Sequence, residues 1–199
     1  ILSSLAYGKR VDFTEVYTEG ITKISSADIA YVKAMNKTVK LLAYSHKEED
    51  DKVLAMVAPY IVSKEDPLSG VNGVFNAIFV HGNMLGDAMF YGQGAGKLAT
   101  ASAVVADVIE CAKNLGTTVD TIWDAEELAL ADMGESKRKF FVRASMDERG
   151  AAINSFANIH EIRITDEEFG FITDEMTENE FKKRIAGIRE VLSVIRCED

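Results

Sequence analysis

The run Gly92-Gln93-Gly94-Ala95-Gly96, where an apolar extended stretch gives way to a helical one, is the segment best suited to meet an anion or a flat ring. Glycine lets the backbone come close to a ligand, and the first amides of a helix are free to donate. The spacing departs from G-x-G-x-x-G, because the third glycine comes one residue early and position 97 is Lys. The acidic residue that would read a ribose from a following strand is also missing, since Glu110 falls inside the helical stretch. The loop therefore reads as a tight turn, or as a wall touching a cofactor held elsewhere. Thr100 and Ser102 follow it, but no histidine base is near them in sequence, and helix capping accounts for such hydroxyls. His81 ends an apolar run and His46 sits in a polar turn, both ordinary structural places for histidine. Cys111 and Cys197 are far apart, with no thiol or imidazole at ligand spacing, so neither a metal site nor a disulfide framework is expected.

The elements that must position these groups come from a chain of 199 residues, 47% hydrophobic and with two prolines, which suits a folded protein with one or two cores. The net charge of −10 disfavours nucleic acid and anionic membrane surfaces as partners and leaves small molecules or proteins. No stretch approaches the roughly 18 apolar residues that cross a bilayer, and the first residues lack a basic-then-apolar leader. A reducing cytoplasm is the expected location. Ile1 opens within a helical pattern that Gly8 closes, as in a truncated chain.

Two regions are expected. In residues 1–118, Ser25-Ser26 cap a helix over residues 27–35 that ends at Asn36. Extended segments follow at residues 40–45 and 53–62, separated by the acidic turn Glu48-Glu49-Asp50-Asp51. Residues 74–81 are apolar on both faces and predict a central strand, with a short one at residues 88–91. Residues 100–115 predict a helix whose small residues pack closely on a sheet, closed by Gly116. Residues 119–137 are taken as a linker. Residues 138–199 read as strand, helix, strand, strand, helix, strand: 140–146, 150–158, 159–165, 169–176, 179–190 and 191–196. Alternation sets Phe141, Arg143 and Ser145 opposite Phe140, Val142 and Ala144. The expected fold class is α+β, a mixed sheet with helices on one face followed by a ferredoxin-like βαββαβ domain.

Three strings carry a family resemblance: Pro67-Leu68-Ser69-Gly70-Val71-Asn72-Gly73-Val74-Phe75-Asn76-Ala77-Ile78, Met89-Phe90-Tyr91-Gly92-Gln93-Gly94-Ala95-Gly96, and Thr100-Ala101-Ser102-Ala103-Val104-Val105-Ala106-Asp107. Together with Ile1-Leu2-Ser3-Ser4-Leu5-Ala6-Tyr7-Gly8, Glu19-Gly20-Ile21 and Lys40-Leu41-Leu42-Ala43, they resemble the substrate domain of homoserine dehydrogenases. Lys97 and Ala99 depart from the residues usual in that family. The resemblance implies interconversion of homoserine and aspartate semialdehyde with NAD(P)(H), in threonine and methionine biosynthesis. It implies that Gly92, Gly94, Ala95 and Gly96 lie beside the nicotinamide end of the cofactor. The nucleotide-binding domain and the lysine and acidic residues that serve catalysis precede Ile1 in that family, so no catalytic residue is assigned here. The isolated chain is expected to be inactive and to hold no cofactor.

Asp147-Glu148-Arg149-Gly150-Ala151-Ala152-Ile153, followed by Asn158-Ile159-His160-Glu161, resembles the ACT domain, an amino-acid-binding regulatory module, with Arg149 where many members have proline. That resemblance implies a regulatory ligand, threonine in this family, near Asp147, Arg149, Gly150, Ala151, Asn158 and Ile159, held between paired domains. A homo-oligomer, most simply a dimer, is the implied state. Two other readings stand beside it: a free-standing amino-acid-binding regulator and a purely structural dimerisation piece. Arg143, Arg163 and His160 are read as solvated strand positions.

Overall fold

The computed structural model describes residues 1–120 and 122–198; Thr121, in the expected linker, and Asp199, at the end of the C-terminal region, lie outside the described residues. In chain order the elements are α1 (Leu2–Tyr7), β1 (Lys9–Arg10), β2 (Tyr17–Thr18), α2 (Ser26–Ala34), β3 (Lys37–Lys47), β4 (Val53–Ser63), β5 (Phe75–Gly82), β6 (Gly86–Gln93) and α3 (Lys97–Lys113). The rest are β7 (Asp124–Glu127), β8 (Lys137–Ser145), α4 (Arg149–Ser155), β9 (Ile159–Ile162), β10 (Glu168–Thr173), β11 (Met176–Thr177), α5 (Glu178–Ile185) and β12 (Val191–Cys197). They form two compact units, Ile1–Lys64 with Trp123–Asp199, and Glu65–Ile122.

Local chemistry fixes the ends of the first helices. Gly8 takes the left-handed conformation after α1 at φ 73°, where a side chain would be strained. A reciprocal capping box starts α2: the Ser25 hydroxyl accepts from the Asp28 amide, and the Asp28 carboxylate accepts from the Ser25 amide. Asn36, at φ 57°, then turns the chain into β3.

The first unit is built on a mixed sheet with the path β2-β4-β12-β8-β10-β9, with β3 added on β4 and β11 on β8. Strands β12, β8, β10 and β9 are antiparallel neighbours, in the order expected of a βαββαβ unit whose fourth strand lies beside its first. Strand β4 joins that unit by parallel pairing of Tyr60 with Arg196 and Ile61 with Cys197, so one sheet runs across residues 119–137. Alternation along β8 divides two cores. Phe140, Val142 and Ala144 pack with Ala152, Phe156, Phe169, Phe171 and Phe181 beneath α4 and α5. Phe141 packs on the opposite face with Tyr31 and Val32 of α2, Ile61 and Ile195. Each fully buried Phe adds about 1.5–3 kcal/mol of transfer free energy, so these faces supply much of the stability.

Several details of the C-terminal region and the linker differ from expectation, among them α4 ending at Ser155, β9 at Ile162 and β10 at Thr173. Residues 124–127 form β7, paired in parallel with β1, with Lys9 bridging Glu126 at 2.8 Å and Arg10 bridging Glu127 at 3.0 Å. An Asp-Ala-Glu-Glu strand has no apolar face, so periodicity could not reveal it. Helix α5 stops at Ile185, five residues before the expected end at Glu190, because Gly187 and the turn at Ile188 end it.

In the second unit, β5 and β6 form an antiparallel hairpin from Phe75↔Gln93 to Gly82↔Gly86. The expected central strand is corrected: among the described residues β5 pairs with β6 alone, and Phe75, Ile78, Phe79 and Val80 remain exposed. A strand apolar on both faces needs covering layers on both sides, and these residues receive none here. Helix α3 likewise holds no buried residue among those described, and it begins at Lys97 rather than Thr100 and ends at Lys113, with Asn114 as its C-cap before Gly116.

Candidate functional site: a glycine loop and the ferredoxin-like turn

The glycine loop is held by short-range geometry. The Gly94 amide donates to the Val74 carbonyl at 3.1 Å, tying the end of β6 to the start of β5. Phe75 of β5 and Tyr91 of β6 stack with ring centroids 4.9 Å apart. Gly96 has φ 111°, a conformation open to glycine, and stands as the N-cap of α3 without any side-chain cap bond, leaving first-turn amides outward. A Cβ at Gly92 or Gly96 would meet nothing within 4 Å, whereas one at Gly94 would fall 1.8 Å from Asn76 Nδ2 and 2.8 Å from its Cγ. Backbone at Gly92 and Gly96 is therefore open to a flat ligand, while at Gly94 the amide of the exposed Asn76 side chain occupies the place of a Cβ.

Gly94→Ala is expected to destabilise the hairpin by about 0.5 kcal/mol, because the Asn76 amide it displaces is the exposed end of a flexible side chain. Urea unfolding of the second unit should show the loss, and Asn76→Ala in the same chain should restore most of it. Equal stability of Gly94→Ala and the parent chain would show that Asn76 swings aside freely.

The ferredoxin-like unit places its candidates at two ends. Asp147, Arg149, Gly150 and Ala151 lie at the β8–α4 turn, near Ser145, which pairs with Glu168. Asn158 and Ile159 lie at the start of β9, opposite Thr173. Five residues of β10 separate Glu168 from Thr173, about 17 Å at the rise of a strand, so one chain does not bring the two groups together. At the turn, Arg149 Nε donates to Glu161 Oε2 at 2.8 Å and Glu148 Oε2 accepts from the Arg189 amide at 3.1 Å. Gly150 faces open space. At the other end Asn158 Nδ2 donates to Asp174 Oδ2 at 2.9 Å. Arg163 and His160 are exposed, as read from the sequence.

Arg143 is not solvated. Its side chain is buried on the α2 face, where Nε donates to Asp28 Oδ1 at 2.8 Å, one terminal nitrogen to Glu168 and the other to the Ser25 hydroxyl at 3.1 Å. Tyr31 adds a bond from its hydroxyl to the Glu168 carbonyl at 3.0 Å. Burial pushes the Asp28 carboxyl up, but the Ser25 amide and hydroxyl and the Arg143 guanidinium outweigh it and hold it below its ordinary range. On the other face Arg196 donates from Nε and a terminal nitrogen to both Glu178 oxygens, and reaches Glu19 at 2.7 Å and the Tyr17 ring. Arg138 stacks over Tyr44 and Tyr60 at 4.9 and 5.3 Å. Three buried arginines thus join α2, β2 and β3–β4 to the ferredoxin-like strands. A signal for one was legible, because the Ser25-x-x-Asp28 box places a carboxylate at the start of α2; its cation could not be found without the fold.

The homoserine dehydrogenase family profile matches residues 1–109, more than half of the chain. This chain belongs to the homoserine dehydrogenase family. The homoserine dehydrogenase of Corynebacterium glutamicum is 37% identical over 165 residues, covering 80% of this chain and 37% of that protein. That of Mycobacterium tuberculosis is 37% identical over 163 residues, 79% of this chain and 37% of that protein, a share too long to stop at residue 118. That of Synechocystis is 47% identical over 112 residues. Among solved structures, a homoserine dehydrogenase of Thiobacillus denitrificans covers the whole chain with a TM-score of 0.79 at 24% identity, a likeness of fold. One from Staphylococcus aureus at pH 7.5 covers 99% at 25% identity and a TM-score of 0.73. The chain spans 37% of the length of these longer-matching curated relatives and about half of the solved chains. No helix among the described residues is long and apolar enough to cross a membrane.

Proposed function

We propose that this chain is the substrate-side and regulatory part of a cytoplasmic homoserine dehydrogenase, which interconverts homoserine and aspartate semialdehyde with NAD(P)(H) in the route to threonine and methionine. The observation that carries this reading is the family match over residues 1–109, which includes the whole glycine loop. When bound, the nicotinamide cofactor supplies hydride transfer. Gly92, Gly94, Ala95 and Gly96 would give it a backbone wall, with the Asn76 amide against Gly94 and the open first turn of α3 beside it. The groups that hold substrate and move the proton are assigned to sequence preceding Ile1, so this chain by itself is catalytically silent.

Residues 138–199 act in this proposal as an ACT-type regulatory module sensing threonine, with residues 1–118 as the substrate domain and 119–137 as the connection between them. The open amides and Gly150 of the β8–α4 turn, with Asp147, Arg149 and Ala151, receive the ligand; Asn158 and Ile159, at the far end of the same chain, complete it from a paired module. That pairing makes a homo-oligomer, a dimer in the simplest case, and the exposed apolar hairpin β5–β6 supports association.

The test follows NADPH oxidation with aspartate semialdehyde, using this chain beside a version extended by its upstream coding sequence. Silence in the first and turnover in the second are expected, with threonine inhibiting the extended form and Gly150→Asp abolishing that inhibition. Turnover by this chain alone, or by neither, would point back to a free-standing amino-acid-binding regulator.

A further inference from the structure

Strand β10 begins beside the turn assigned above to the regulatory ligand. Glu168 pairs with Ser145, and the Met146 amide donates to the Glu167 carbonyl at 2.9 Å, just before Asp147 and Arg149. A ligand that shifts this turn therefore shifts residues 167 and 168 with it.

The Glu168 carboxylate reaches the α2 face, where it accepts from one terminal nitrogen of Arg143. The same guanidinium donates from Nε to Asp28 Oδ1 at 2.8 Å and from its other terminal nitrogen to the Ser25 hydroxyl at 3.1 Å. Ser25 and Asp28 are the two halves of the capping box that starts α2. One side chain thus joins the start of β10 to the first turn of α2. A second contact runs beside it. The Tyr31 hydroxyl donates to the Glu168 carbonyl at 3.0 Å, and the Tyr31 ring lies against the backbone at Gly170, where a Cβ would fall 2.8 Å from its Cδ1. Helix α2 therefore rests directly on β10, and a close-packed contact transmits a displacement instead of absorbing it.

We propose that Arg143 couples the amino-acid site to the substrate-side region: occupancy of the β8–α4 turn reaches α2, within the stretch matched by the family profile, through Glu168, Arg143 and the Ser25–Asp28 cap. This role depends on that turn being the amino-acid site, as proposed above. Arg143 acts through Glu168 and Asp28, so it is a positioning residue. Its planar fork holds two carboxylates and a hydroxyl at fixed angles, which the single ammonium of a lysine cannot do. Glu168 is the least buried of the three charges and the one paired to the turn.

The test uses the chain extended by its upstream coding sequence. Two quantities are measured: the threonine Kd by calorimetry, and the factor by which saturating threonine lowers kcat/KM for aspartate semialdehyde. The parent is expected to show a factor of about 10 or more, within the usual range of coupling between two sites. In Glu168→Gln, and in Arg143→Lys, the factor is expected to fall to about 2 or less, with Kd and the threonine-free kcat/KM within about twofold of the parent. Glu168→Gln keeps an acceptor at a partly exposed position, so it keeps the fold and decides the matter if Arg143→Lys does not. Retained binding with lost inhibition supports coupling through Arg143. A purely structural role would lower the thermal midpoint of both variants and leave the factor as in the parent, and that result overturns the proposal. Threonine binding lost in Glu168→Gln would place Glu168 in the site and also overturns it. Threonine that fails to bind the parent, or binds without inhibiting it, removes the regulatory reading itself and this role with it.

Discussion

Arg143→Met is expected to cost about 3–5 kcal/mol at neutral pH, because it leaves the Asp28 carboxylate buried with Glu168 beside it and no cation between them. Methionine keeps the length and apolar stem of the side chain, so packing changes little and the loss reports charge. The pH dependence has a definite sign. In the parent chain Asp28 titrates below its ordinary value of 3.8, so its contribution is fully present above that value and is lost as pH falls through the folded one. In Arg143→Met the lowering by the cation is lost while the Ser25 bonds remain, so Asp28 titrates higher than in the parent chain and protonation relieves the unpaired buried charge sooner as pH falls. The gap between the two chains is therefore greatest near pH 7 and narrows towards pH 4. Urea unfolding across that range measures it. A difference within about 0.5 kcal/mol at pH 7, the scale of surface substitutions, would mean that Arg143 is no clamp.

Arg196→Met is the matching experiment on the opposite face. Glu178 is 2% exposed and spends both oxygens on Arg196, so removing the guanidinium strands a carboxylate at the first turn of α5. A loss of about 3–5 kcal/mol is again expected. Glu19 loses its partner too, but it stands nearer solvent and adds little. Arg143 and Arg196 have no partner in common, so the two losses should add to within about 0.5 kcal/mol in the double variant. Glu178→Gln in the Arg196→Met background should recover stability by removing the stranded charge. Failure of that rescue would assign the loss to packing around Tyr17 and not to the ion pair.

The two clamps lie where the strands of the proposed regulatory module meet the rest of the first unit. Helix α2, strand β2 and strands β3–β4 belong to the stretch matched by the homoserine dehydrogenase profile, and β8, β10 and β12 to the ferredoxin-like strands. Arg143 ties the start of α2 to β8 and β10, and Arg196 ties Glu19 to β12 and α5. A ligand that moves β8 relative to α2 would act on the substrate-side strands directly.

Much of this protein was determined by local sequence. The Ser25 cap, the Asn36 stop, the Gly8 turn and the opposed faces of Phe140 and Phe141 follow from side-chain chemistry and periodicity alone, and the glycine loop with the strings around it carried the family. Those features depend on neighbours within a few residues, which a sequence displays. What needed the tertiary structure was every pairing between distant segments: β12 beside β4, β1 beside β7, Arg143 on Asp28 across 115 positions, and the separation of Gly150 from Asn158 at opposite ends of β10. An arginine on a strand looks the same in sequence whether it meets water or a buried carboxylate. The apolar character of β5 and α3 was legible too, but not what covers them, because hydrophobicity specifies that a face is to be buried and only three-dimensional packing decides against what.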